Sequence, residues 1–164
     1  MRLASVITPF NDRNLALAAQ TGVTDITVRY QGSELADWLP AREQVERHGL
    51  KICTVEDALQ TDEIIMGTAG RDEEIEAIKQ LLQIMSELEI PVLCYNFMAG
   101  TDWVRTSVNE PERGGARVTG FDLAAVDQAV SLDDASRQLE HREISADQLW
   151  ENLEYFLAAV IPEA

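Results

Sequence analysis

The chain has 164 residues, a net charge of −16 and 46% apolar residues, which fits one globular domain with a real core. Its acidity excludes nucleic acid as a partner, because no basic run exists to displace counterions, and it disfavours anionic membrane surfaces. No apolar run approaches the roughly 20 residues that a membrane span needs.

Residues 2–8 read as a first strand and not as a signal peptide, because Asn11-Asp12-Arg13 follows a short apolar part at once. Asn11 or Asp12 can cap a short helix with Leu15, Ala18 and Ala19 inward, and Gly22 ends it. Residues 25–30 form a second strand ending in Arg29 and Tyr30. Pro40 fits best in the first turn of a helix. The reading is therefore a short turn over 34–39 and a main helix over 40–48, stopped by Gly49. Residues 50–55 form a third strand ending at Glu56-Asp57. The clearest helix spans 71–88, with Ile75, Ile78, Leu81, Leu82, Met85 and Leu88 at helical spacing. Asp72, Glu73 and Glu74 stand at its positive N-terminal end.

A fourth strand covers 92–95, with both alternating sets apolar, as in a strand buried on both faces. Cys53 and Cys94 thus both fall in strands, which predicts two buried free thiols in a reducing cytoplasm. A long connection over 98–144 follows, of the length that functional lids have. It carries Arg113-Gly-Gly-Ala-Arg117, readable as a flexible solvated loop or an anion clamp, and a short helix over 122–133. Ser145-Ala-Asp-Gln148 is a capping box that opens a last helix, with Leu149, Leu153, Phe156, Leu157 and Val160 inward.

Strand and helix thus alternate four times, and no dinucleotide, P-loop or nucleophile-elbow sequence is present. The fold class is α/β with a parallel sheet. It corresponds to half of a (β/α)8 barrel, which typically needs about 250 residues. The whole chain, 1–164, is read as a single partial barrel domain.

In parallel α/β folds, chemistry collects at the carboxyl ends of strands. The richest such end is the fourth strand's, where Cys94-Tyr-Asn-Phe-Met98 is followed by Asp102-Trp-x-Arg-Thr106. Together with Gly67-x-x-x-Arg71-Asp72-x-x-Ile75-Glu76-x-x-Lys79 and the Val55-Glu56 strand end, this stretch resembles the mannonate dehydratase family of the xylose-isomerase-like TIM barrels. The pattern departs from the family at Ala99-Gly-Thr101, where a proline and bulkier residues are expected. The resemblance implies the N-terminal half of the barrel. It also implies a metal-dependent hydro-lyase that converts D-mannonate or a related sugar acid to a 2-keto-3-deoxy acid. The implied cofactor, Mn2+ or Fe2+, is held in the family by later strands, so no metal is expected on this chain alone and the chain alone is expected to be inactive.

The expected contribution is a substrate-positioning wall. Arg105 offers a fork of donors that matches a carboxylate. Asn96 can donate to and accept from sugar hydroxyls, and Trp103 can present a flat apolar face to a polyol. Arg29 and Glu56 end the second and third strands and face the same mouth. Structural readings stand beside these: an Arg105–Asp102 pair, Trp103 packing under the long loop, and an Arg29–Glu56 pair. His48 at a helix end and His141 in a charged loop are read as structural or surface residues. An isomerase or epimerase of the same barrel group, and a non-catalytic half-barrel, remain as alternatives. The expected partners are a small sugar acid, and either a second copy or a missing C-terminal half.

Overall fold

The structure, a computed structural model, describes residues 2–56, 59, 61–99, 104–131 and 143–164. The chain divides into two compact units, Met1–Phe97 with Trp150–Ala164, and Met98–Leu149.

The first unit is built on a four-stranded sheet in the order β1 (Ala4–Val6), β2 (Asp25–Val28), β3 (Lys51–Glu56), β4 (Val92–Cys94). All three pairings are parallel, as strand–helix alternation requires, since parallel neighbours need a crossover. The register shifts between Ile26 and Thr27, which leaves Cys53 as the extra residue on β3.

Helix α1 (Asp12–Gln20) starts where predicted, with the Asn14 N–H donating to the Asn11 side chain at 2.9 Å. Helix α2 (Leu35–Glu46) corrects the sequence reading. It is one helix with Pro40 inside it, not a turn followed by a helix from Pro40. The reason is Trp38, which is fully buried and donates its indole N–H to the Gly32 carbonyl at 2.9 Å. Burying so large a side chain contributes about 1.5–3 kcal/mol, a gain similar in size to the roughly 3 kcal/mol that an interior proline costs. The Glu34 N–H donates to the Asp37 carboxylate at 3.1 Å, which helps to pin the earlier start.

Helix α3 (Asp62–Met66) was not anticipated, being five residues long and without periodicity. Helix α4 (Arg71–Glu87) matches its prediction, with Ile75, Ile78, Leu81, Ile84 and Met85 buried. Helix α5 (Ala146–Val160) is capped as expected, the Gln148 N–H donating to Ser145 Oγ at 3.2 Å.

Two apolar clusters hold the first unit. One joins α1, α2 and α4 to one face of the sheet through Leu15, Ile26, Val28, Trp38, Val45, Val55 and Leu81. The other gathers Ile64, Ile75, Ile78, Phe156 and Val160, and so seats α5 on α3 and α4. Asn152, almost fully buried, donates to the Ile65 carbonyl at 2.9 Å. Arg71 lies 3.8 Å from the centre of the Tyr155 ring, whose hydroxyl donates to Asp72 at 2.8 Å.

The opposite sheet face overturns one expectation. Strand β4 is not buried on both faces: Val92 is 47% exposed and Cys94 is exposed, with only Leu93 packed on the core. Cys53 is buried as predicted, and both thiols are free. Periodicity reports that both sets of side chains are apolar. It does not report whether a second layer covers both.

The second unit holds antiparallel ribbons. Strands β5 (Val104–Arg105) and β8 (Val130–Ser131) form one pair, and β6 (Ser107–Pro111) and β7 (Arg117–Gly120) the other. Gly114 and Gly115, at φ of 70° and 80°, take the left-handed conformations that turn the second ribbon. The Arg113–Arg117 segment is thus a hairpin turn, and Arg117 donates to the Asn109 carbonyl at 3.2 Å. Residues Leu123–Gln128 form a 3-10 helix, shorter than the helix expected over 122–133, whose end lies outside the described residues.

Candidate functional site

Parallel register sets out the strand ends at which three of the predicted polar residues stand. Val6, Thr27, Thr54 and Val92 are successive partners across the four strands. One step further along, Glu56 pairs with Cys94, and their side chains lie 4.0 Å apart. Arg29 follows the Val28–Val55 pair directly, beside Glu56. Asn96 shares the parity of Cys94. The alternate residues Tyr95 and Phe97 turn the other way, with ring centres 5.3 and 6.1 Å from that of Phe156. Packed against Phe156 of α5, those two rings hold the segment that carries Asn96. Arg29, Glu56 and Asn96 are exposed at the carboxyl ends of β2, β3 and β4.

Arg105 belongs to the second unit. Its Nε donates to Thr119 Oγ1 at 3.1 Å and its NH1 to the Val104 carbonyl at 2.8 Å. These bonds fix the guanidinium against β7. Trp103 and Asp102 lie outside the described residues, as does His141. His48 is structural, as read: its Nε2 stands 2.9 Å from Asp12 Oδ1 and joins the end of α2 to the start of α1. That bond is the main cause that holds the Asp12 carboxyl below its ordinary pKa.

The upstream part of the recognised pattern serves a different purpose from the strand ends. Gly67 has φ 66°, and an added Cβ there would stand 2.5 Å from Asn152 Oδ1. Arg71 and Asp72 engage Tyr155. These residues dock α5. Spacing along the chain alone cannot separate such docking residues from ligand-binding ones. The exposed thiol of Cys94 beside Glu56 was missed for a similar reason, since the apolar run around it reads as core.

The described residues offer no complete donor set for the metal that the resemblance implies. Among the described residues no group of three or more His, Cys, Asp and Glu side chains could hold a metal ion. Glu56 and Cys94 supply two donors of unlike softness, which is too few for a closed or catalytic site. No helix among the described residues is long and apolar enough to cross a membrane.

Comparison with known proteins identifies the family and supports the fold. Residues 14–164 match the family described as D-mannonate dehydratase (UxuA). The mannonate dehydratase of Streptococcus pneumoniae (strain 70585) is 34% identical over 161 residues, covering 88% of this chain and 44% of that protein. That of Oceanobacillus iheyensis is 30% identical over 139 residues, covering 75% and 40%. The crystal structure of mannonate dehydratase from Streptococcus suis serotype 2 superposes with a TM-score of 0.82 at 28% identity, over 100% of this chain and 50% of that one. The chain thus spans half or less of the length of these relatives, and its four parallel βα units correspond to half of the solved structure. On the match over 14–164 and on the shared fold, this chain belongs to the D-mannonate dehydratase family.

Proposed function

We propose that this chain supplies the substrate-positioning wall of a hydro-lyase site that acts on D-mannonate or a closely related sugar acid. The observation that carries the reading is that Arg29, Glu56 and Asn96 are exposed at or just past the carboxyl ends of the adjacent parallel strands β2, β3 and β4. In this reading Asn96 donates to and accepts from the substrate's hydroxyls, and Glu56 accepts from a hydroxyl. Arg105 offers its fork to the carboxylate of an anion that a chain of net charge −16 otherwise repels, and Arg29 is a further substrate-binding residue. Trp103 presents an apolar face to the carbon chain. The role is binding and orientation in a cytoplasmic enzyme, and the donor set for Mn2+ or Fe2+ is assigned to residues other than those described.

The test uses a protein that carries this segment together with its catalytic remainder. Arg105→Ala should lower kcat/KM for the sugar acid by the equivalent of about 2–5 kcal/mol if the contact is desolvated. Arg105→Lys, which keeps charge and loses the fork, should lower it less, and the matching neutral sugar should be little affected. If Arg105→Ala lowers the melting temperature but leaves kcat/KM within about twofold, roughly 0.4 kcal/mol, the clamp assignment is wrong.

A further inference from the structure

The ladder between β3 and β4 ends at the Glu56–Cys94 pair, so Asn96 stands two residues past the last strand partner. Packing of its neighbours therefore bears on where it points. Tyr95 and Phe97, on either side of Asn96, both meet the ring of Phe156 on α5. The Tyr95 ring stands edge-on to it, with centroids 5.3 Å apart and planes at 75°. The Phe97 ring stacks on it at 6.1 Å and 23°. Both are arrangements that aromatic pairs prefer. Side chains at i and i+2 that reach one ring have the spacing of an extended chain, in which the residue between them points the other way.

Phe156 is itself held. It is 2% exposed, and with Asn152 and Val160 it forms the buried stripe of α5, one residue every four. One turn earlier, Asn152 donates to the Ile65 carbonyl at 2.9 Å, and Tyr155 donates to Asp72 at 2.8 Å. Contacts to α3 and α4 thus set the place of α5, and α5 sets the place of the ring. Tyr95, Asn96, Phe97 and Phe156 all belong to one compact unit. A further layer over the opposite face of the sheet would leave these contacts as they are.

We propose that Phe156 is a positioning residue of the sugar-acid site, which aims the Asn96 amide at the substrate through the rings of Tyr95 and Phe97. The proposal rests on the substrate role given to Asn96 above. An amide donates from one side and accepts on the other, so it recognises a hydroxyl pattern only while its direction is fixed. A misplacement of about 1 Å at a reacting site can cost on the order of 100-fold in rate. Phe156 acts here through the strand end and not by touching substrate.

The kinetic test uses a protein that carries this segment together with its catalytic remainder, with rates counted per folded molecule. Phe156→Leu keeps an apolar side chain and loses the ring, and it should lower kcat/KM for D-mannonate at least about tenfold. In an Asn96→Ala background the same change should lower it less than about twofold, because the group that it displaces is gone. A ring that only supports the core would give the same loss in both backgrounds. Tyr95 is 42% exposed, so Tyr95→Ala leaves the core closed and decides the matter even if Phe156→Leu fails to fold. It should show the same dependence on Asn96, and Tyr95→Phe, which restores the ring, should recover the loss. In the 164-residue chain, Tyr95→Ala should also speed amide hydrogen exchange over 95–97 by about 2–10-fold, with exchange in α4 unchanged. No loss of kcat/KM, equal losses in the two backgrounds, or unchanged exchange over 95–97 overturns the proposal and leaves the substrate role of Asn96 standing. An Asn96→Ala variant within about twofold of the parent overturns that role, and the proposal with it.

Discussion

Replacing Gly67 with alanine should be among the most damaging one-carbon changes in the chain. Gly67 ends α3 in the left-handed conformation, φ 66° and ψ 33°, where a Cβ costs about 1–2 kcal/mol. The new Cβ would also stand 2.5 Å from Oδ1, 2.8 Å from Nδ2 and 2.9 Å from Cγ of Asn152, all inside contact distance. Asn152 must then move. It is 4% exposed and donates to the Ile65 carbonyl, so moving it leaves a buried polar group without its partner. That adds about 1–3 kcal/mol. The total is about 2–5 kcal/mol, a fall in Tm of about 4–20 °C for a chain of this length. The assay is thermal and urea unfolding at one fixed protein concentration, because any self-association makes Tm depend on concentration. The mechanism is isolated by repeating the change in an Asn152→Ala background. There the Cβ has room, and only the left-handed cost of about 1–2 kcal/mol should remain. The reasoning is refuted if Gly67→Ala costs the same in both backgrounds, since contact with Asn152 would then contribute nothing.

Three further outcomes are expected. Glu74, whose carboxylate accepts the Ile64 N–H at 3.0 Å, has its pKa raised chiefly by burial. The native state therefore holds that proton more tightly than the unfolded chain, so ionisation costs stability above the raised pKa and nothing below the ordinary value of 4.5. Glu74→Gln should raise Tm at neutral pH, with the gain vanishing in acid; a gain that is constant with pH contradicts this. Trp38→Ala should cost about 3–5 kcal/mol by urea unfolding. Trp38→Phe, which loses mainly the bond to the Gly32 carbonyl, should cost clearly less; equal losses would mean that burial is not what starts α2 early. Tyr155→Phe removes the exposed bond to Asp72 and keeps the ring under Arg71, so it should cost less than about 1 kcal/mol. Tyr155→Ala should cost more, and the difference between the two should disappear in an Arg71→Ala background if the ring–guanidinium contact is its cause.

Much of the strand-end layout was readable along the chain. The carboxyl ends of β2, β3 and β4 could be located because each strand is short, apolar and followed by a polar residue. Glu56 closes β3 as read, while Arg29 and Asn96 stand one and two residues past the ends of β2 and β4. The hairpin between β6 and β7 had a readable signal, the Gly114-Gly115 pair between Val108 and Val118, hidden inside what looked like one long connection. Arg105 shows the limit of such reading. Its place after β4 was clear, but its bond to Thr119 depends on a ribbon that returns 14 residues later.

The sequence by itself determined what depends on neighbours a few residues apart. The apolar stripe of α4, the Asn11 and Ser145 caps and the alternation of strand and helix are all of that kind, and alternation of strands with crossovers already points to a parallel sheet. Tertiary structure decided what depends on a second layer. It carried α2 through Pro40 because Trp38 had a core to enter. It made Gly67 and Arg71 docking residues because α5 returns to them 85 and 84 positions later, at Asn152 and Tyr155. It also left Val92 and Cys94 exposed, because the helices cover only one face of the sheet. A run of apolar residues records an affinity for being covered, and only the packed fold shows which of those residues have been covered within this chain.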